Sequence, residues 1–519
     1  MLFKRCCLLL MASLFVFSLS SCEEGGSSIS SKNSSEGSSS SEKPIIPPIV
    51  NKYDYRFKFP TVLPRIDIKT EDGKNNFATD FNQNDKLNGN IEYVKCNLDV
   101  SNCMEDYVLE NIPGSVKIRG NATMNYPKKP LRLKFDSKQS LLGLNNDAKY
   151  KSWVLLADYK DASMLKNALS FYLGNQLLGS DDLYCSDFQH VKVYLNNQYW
   201  GIYLLAEQQQ VNKNRVDVFE PEDGYTGNDI GYLFEYDGYY YQEKDDPTFT
   251  VPYTNRSILY KKDGTETTAA INGYTLKSDI YADSQKAFIA EYVRLAYKIA
   301  YRAVHFNDYY EFNETFTDMV PSTKTNAEET VDQVLNIDSF VDTYIMQEII
   351  CDSDIAWSSF YLSADLSEKG DKKITLEAPW DFDNGYGGKR DHTFTEGDFA
   401  GNSQNPWLVL LVNQPWFIER VKAKWQDAHQ HGIFSSSLNN IKTFQRIYKV
   451  EFEKNFARWP GQISNTHNEL VDIFATFKTQ EEVSNYMYNW LYKRYNYLNK
   501  TYGDGTDILF LEENKPSEN

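Results

Sequence analysis

"EAPWDFDNGYGG", residues 377–388, sets an Asp-Phe-Asp beside a glycine turn, directly after Lys373–Leu376, which reads as a short strand. The turn is either a cradle for a divalent cation or a structural corner whose acids are solvated caps. Upstream lie a helix, "DSFVDTYIMQEII" (338–350), an acidic loop, "CDSDIAW" (351–357), a strand, "SSFYLSA" (358–364), a charged turn, "DLSEKGDKK" (365–373), and a second strand, "ITLEA" (374–378). Two acidic loops are thus joined by a hairpin and fed by one helix.

As an EF-hand loop beginning at Asp381, the stretch needs Gly at its sixth position and Glu at its twelfth. Tyr386 and His392 stand there, which excludes that reading. As a plain turn it needs only Gly385, Gly387 and Gly388. Helix, acidic loop, hairpin and acidic loop is also the order in which protein kinases bring a catalytic Asp and a metal-binding Asp to one cleft. Phosphoryl transfer asks mainly for a metal to neutralise phosphate charge and a carboxylate to orient the attacking group.

Toward the N-terminus, "RIDIKT" (65–70), "GSVKIRG" (114–120), "PLRLKF" (130–135), "SWVLLA" (152–157), "HVKVYLN" (190–196) and "GIYLLAE" (201–207) are short, alternating or β-branched, and bounded by turn formers. "NNQYWG" (196–201) reads as a hairpin turn. One helix is expected over 161–177, capped by Asp161, with Leu165, Leu169 and Leu173 recurring every fourth residue. From Asp283 onward apolar residues recur at three- and four-residue spacing, as in "DSQKAFIAEYVRLAYKIAYRAVHF" (283–306). The expectation is an α+β fold, with a sheet-rich part over 51–282 and a mostly helical part over 283–519.

The first 22 residues follow the three regions of a secretory signal: Lys4 and Arg5, an apolar run, then small residues. Leu19-Ser20-Ser21-Cys22 resembles a lipobox, in which Cys22 becomes the acylated first residue and lipid holds the protein on a membrane outer face. Residues 23–50 are mostly Ser, Gly, Glu and Lys until "IIPPIV", the composition of a flexible tether. The mean hydropathy is negative, which argues against further membrane spans. A net charge of −18 argues against nucleic acid as a partner. No cysteine pair beyond the signal has C-x-x-C spacing and the six His are scattered, so a zinc site is not expected, while a Cys96–Cys103 disulfide is chemically permitted.

"SVKIRGNATMNYPKKPLRLKF" (115–135), "SLLGL" (140–144), "KSWVLLADYKDASMLKNALSFYLG" (151–174), "VKVYLNNQYWGIYLLAEQQQVNKNRVDV" (191–218) and "EAPWDFDNGYGG", in this order, resemble the CotH kinase family, named for a bacterial spore-coat protein. The resemblance implies an atypical protein-kinase-like fold and transfer of phosphate from ATP to proteins, with Mg²⁺ or Mn²⁺. It makes Asp381 the metal-binding residue, with Asp383 a second ligand, and Asp354 the catalytic carboxylate, with Asp352 its competitor. Ordinary kinases place a metal-binding Asn five residues after the catalytic Asp; Ser359 stands there, which favours a one-metal site or weak activity. Arg119, Lys129 and Lys134 become candidates for the nucleotide phosphates, and Glu207 the ion-pair partner of Lys134. The competing reading of Lys128, Lys129, Arg132 and Lys134 is the solvated face of an alternating strand.

Together these imply a lipid-anchored, extracytoplasmic kinase acting on Ser or Thr of surface proteins, its own Ser-rich tether among them. The alternative is an inactive, kinase-like surface protein that binds a protein or glycan through aromatic clusters such as "YDGYYYQ" (236–242) and "NPWLVLLVNQPWF" (405–417). Glycoside hydrolysis by paired carboxylates is also conceivable, but the many acids nominate no pair.

Overall fold

The computed structural model pairs the alternating segments of the first half into a closed barrel of seven strands. It describes residues 52–510 except 75–82, 89–90, 104, 244–245, 252–257, 261–265, 269–271, 398, 400–403 and 465–466, so Cys22, the signal and the tether lie outside the described residues. The strands β1 (Arg65–Thr70), β2 (Val94–Asn102), β3 (Tyr107–Ile118), β4 (Leu131–Gln139), β5 (Tyr150–Leu156), β6 (Phe188–Leu195) and β7 (Gln198–Glu207) lie in the order β1-β2-β3-β4-β5-β7-β6. Neighbours are antiparallel except at the closure, where Arg65–Ile68 runs parallel to Lys192–Leu195. Ile66, Leu98, Val116, Leu133, Trp153 and Val193 point inward and fill the barrel. The β6–β7 hairpin turns at Asn196 and Asn197 with φ of 48° and 67°, the left-handed pair that a tight hairpin asks for and Asn tolerates.

A second sheet has five strands in the order Thr375–Leu376, Phe360–Asp365, β8 (Gly231–Asp237), Gly273–Leu276 and Thr248–Phe249. It draws strands from both sides of residue 283, and Asn51–Asn519 forms one compact unit. Long helices follow at Asp283–Phe306, Ile337–Ile350, Pro415–Gln430, Ile433–Arg458 and Gln480–Tyr502, which with the sheets makes the fold α+β. None among the described residues is long and apolar enough to cross a membrane.

The helix expected from Asp161 begins at Lys166. The Asp161 carboxylate accepts the N–H groups of Ser163, Leu165 and Lys166 at 2.9, 2.9 and 3.0 Å, which ties 161–165 into a capping turn ahead of the helix. Lys166–Leu177 is buried along almost its whole length, between the helices Ile337–Ile350 and Ile433–Arg458. The permitted Cys96–Cys103 bond does not form: Cys96 faces the barrel core, Cys103 is exposed, and both thiols are free. Trp407 of the second aromatic cluster is fully buried, its indole N–H donating to the Tyr274 hydroxyl at 3.0 Å, so this ring is core and not a binding platform.

Candidate active site

From Trp380 to Asp383 side chains alternate between core and solvent. Trp380 and Phe382 are buried against Phe171 of the helix Lys166–Leu177, with ring centroids 5.3 and 5.9 Å away. Asp381 and Asp383 therefore face outward, into a cleft of about 920 Å³. The turn is fixed from beneath: Phe382 N–H donates to Asn167 Oδ1 at 3.1 Å, Lys166 Nζ to the Asp383 carbonyl at 2.7 Å, and Tyr386 N–H to the Ile350 carbonyl at 2.7 Å. Its glycines answer to that packing. A Cβ on Gly387, whose φ is +66°, would stand 2.3 Å from Trp490 Nε1, and one on Gly388 2.4 Å from Lys166 Nζ. Asp381 itself has a φ of 67°, a conformation that costs a non-glycine residue about 1–2 kcal/mol.

The other acidic loop arrives from the helix Ile337–Ile350. Cys351 ends that helix in the left-handed region, and Asp352 Oδ1 accepts Asp354 N–H at 2.9 Å, starting a 3₁₀ turn over Ser353–Ala356. Asp354 then reaches the same cleft, where Asn384 Nδ2 donates to its Oδ2 at 2.8 Å. The two loops that the sequence joined by a hairpin thus meet in space.

Burial raises the Asp381 carboxyl well above the usual range, and Asp383 and Asp354 raise it further, while Arg119 and Lys160 pull it back. Asp354 is raised by burial and by Asp383. Asp352 is buried, with Oδ2 lacking a partner among the described residues. Among the described residues, no three His, Cys, Asp or Glu side chains converge to hold an ion by themselves. Mg²⁺ or Mn²⁺ at a phosphate site asks for only one or two carboxylates, with phosphate and water completing the shell. Asp381, with Asp383 beside it, offers such a partial set.

Of the expected phosphate contacts only Arg119 lines the cleft. It lies over the Trp380 ring, 5.5 Å from the centroid, in the field of Asp381. Lys129 does not line the cleft; it is buried and donates to the carbonyl of Met124, which does. Lys134 is exposed on β4, its ammonium 5.7 Å from the Tyr93 ring centroid. Glu207 is fully buried at the end of β7, where it meets Arg215 at 3.3 Å, Asn145 Nδ2 at 3.0 Å and Asp187 N–H at 3.0 Å. The expected Lys134–Glu207 pair is therefore absent: the course of β4 leaves Lys134 in solvent, and an interior arginine takes the glutamate. Ser359 lines the cleft as expected, and its N–H donates to Glu235 Oε1 at 2.9 Å.

The cleft also holds residues that the sequence reading did not assign to the site. Arg132 enters from β4 with its Nε unpartnered among the described residues, and Lys389 donates to Ser353 Oγ at 2.9 Å. Lys160 ion-pairs with Glu469 at 2.8 Å and donates to Asn384 Oδ1. Asn384 directly follows the Asp-Phe-Asp and was legible there. Lys160, between β5 and the buried helix, had no local signal beyond its place in a family-like segment.

No curated protein matches the chain. The family model described as CotH kinase protein matches residues 116–498, a span containing both acidic loops, Arg119, Lys160 and Glu469. The match covers most of the chain, and the protein belongs to the CotH kinase family.

Proposed function

We propose that this protein is a kinase-like phosphotransferase that moves the γ-phosphoryl group of ATP to Ser or Thr hydroxyls of surface proteins. One observation carries the reading: Asp354 and Asp381, on separate loops, meet in one cleft with Arg119 and Lys160. In this reading Asp381, assisted by Asp383, holds Mg²⁺ or Mn²⁺, which when bound neutralises phosphate charge and fixes the nucleotide. Arg119 and Arg132 orient phosphate oxygens. Asp354 accepts the hydrogen bond of the attacking hydroxyl and takes its proton. Burial raises its pKa, which makes the carboxylate a better acceptor for that proton. The order of helix, acidic loop, hairpin and acidic loop supports a kinase-like arrangement of these two loops.

We also place the protein outside the cytoplasm, held by lipid on Cys22, with the serines of residues 23–50 within reach as a cis substrate. Cys22→Ala should leave an unlipidated precursor; normal processing and fractionation of the variant would remove that part of the reading.

The test of the chemistry is calorimetric titration of ATP with and without Mg²⁺ or Mn²⁺, alongside phosphate transfer followed by mass spectrometry. Asp381→Asn should lose metal-dependent nucleotide binding and transfer together. Asp354→Asn should bind ATP with metal and lose transfer alone. Wild-type ATP binding indifferent to metal would overturn the proposal; metal-dependent binding without transfer to any hydroxyl would favour a catalytically inactive binding protein.

A further inference from the structure

Lys160 is 7% exposed and reaches the cleft from the segment between β5 and the helix Lys166–Leu177. Its ammonium donates to Asn384 Oδ1, pairs with Glu469 Oε2 at 2.8 Å and is drawn by the charge of Asp383 as well. It also acts on Asp354 and Asp381. Lysine only donates, so the Asn384 oxygen must face Lys160, which turns the amide nitrogen toward Asp354 Oδ2 at 2.8 Å. The amide oxygen beside Asp354, the best replacement for the metal ligand missing at Ser359, therefore carries an ammonium, whose positive charge opposes a divalent ion at the same oxygen.

We infer, on the basis of the proposed reaction, that Lys160 is an internal cation occupying the place a second divalent ion would take beside Asp354 and Asp383, so that the site works with a single metal. Buried carboxylates need a counter-charge, and an ammonium held by Asn384 and Glu469 supplies one that no chelator removes. Its role is to position: it fixes Asn384, and through Asn384 it fixes Asp354.

The experiment counts Mn²⁺ bound by the purified full-length protein with a saturating non-hydrolysable ATP analogue, by the electron paramagnetic resonance signal of free Mn²⁺. Wild type and Lys160→Arg should hold one ion per chain, and Lys160→Gln two. Two ions in wild type overturn the inference. One ion in Lys160→Gln also overturns it, and with weakened analogue binding would make Lys160 a phosphate ligand instead. If Lys160→Gln does not fold, the wild-type Mn²⁺ dependence of analogue binding decides: a single-ion hyperbola supports the inference and a two-ion curve overturns it. Analogue binding with no Mn²⁺ in wild type would overturn the proposed reaction itself, an outcome distinct from the others.

Discussion

Glu207→Gln separates a structural glutamate from one that serves the nucleotide. Both Glu207 and Arg215 side chains are fully buried, so the substitution leaves the guanidinium charge in the interior without its carboxylate. Breaking such a pair costs about 3–5 kcal/mol. The lower end applies here, because the glutamine oxygen still accepts a hydrogen bond and Arg215 keeps Gln210 Oε1 at 2.7 Å, the Ser152 carbonyl at 3.1 Å and the Tyr150 ring 3.6 Å away. Unfolding entropy near 2.1 cal/mol/K per residue gives roughly 1 kcal/mol/K for the unit Asn51–Asn519, so Tm should fall by roughly 3 °C. Scanning calorimetry reads that shift, and titration of ATP with Mn²⁺ below the transition should return the wild-type affinity, since Glu207 lies off the cleft. Lys134→Met, on an exposed strand position, should change neither quantity, within about 0.5 kcal/mol. An unchanged Tm with a tenfold loss of affinity, ~1.4 kcal/mol, would refute this and return Glu207 to the nucleotide site.

His190 is buried beside Phe444, its Nε2 2.9 Å from the Met164 carbonyl, and burial lowers its pKa to about 4. The unfolded chain thus binds more protons between pH 4 and an ordinary His pKa of about 6.5, so stability present above 6.5 is lost as pH falls, by roughly 2 kcal/mol at pH 5. Urea unfolding at pH 7 and pH 5 should show that loss in wild type and a smaller one in His190→Gln; equal losses would show that another group is responsible. Gly387→Ala combines a left-handed backbone with a Cβ crowding the Trp490 indole that donates to the Thr393 carbonyl, and should cost about 2–5 kcal/mol by thermal unfolding. A thiol reagent on the native protein should label Cys103 and spare Cys96, whose thiol burial pushes up to about 12; protection of Cys103 would contradict its exposed, unpaired state.

The strands and the β6–β7 hairpin were legible because alternation and Asn-rich turns are local signals. That the two acidic loops share one cleft was legible in the chain order, which puts them at either end of one hairpin, while the choice of Asp354, Asp381 and Asp383 within them came with the family resemblance. The basic partners were not legible. On β4 the alternation places Arg132 and Lys134 on the same side, and only the three-dimensional course of the strand decides that Arg132 meets the cleft and Lys134 meets water. Glu207 looked available because nothing near "LLAEQ" announces an arginine eight residues on folding back beneath it. Lys160 depends on Asn384 and Glu469, more than two hundred residues away, a coincidence that no local pattern encodes. The capping turn at Asp161 displaced the helix start because one carboxylate collects three N–H groups instead of one.

The parallel seam between Arg65–Ile68 and Lys192–Leu195 gives the barrel a direction in time. During synthesis β1 emerges long before the strand that seals it, and antiparallel pairing with β2 covers only one of its two edges. The other edge, along Ile66 and Ile68, stays a template for foreign strands until the β6–β7 hairpin returns. Closing so long a loop is slow relative to hairpin formation. A chain truncated before residue 195 would therefore carry a sticky open ribbon, while one that runs through Glu207, the end of β7, can complete the seam and cover that edge.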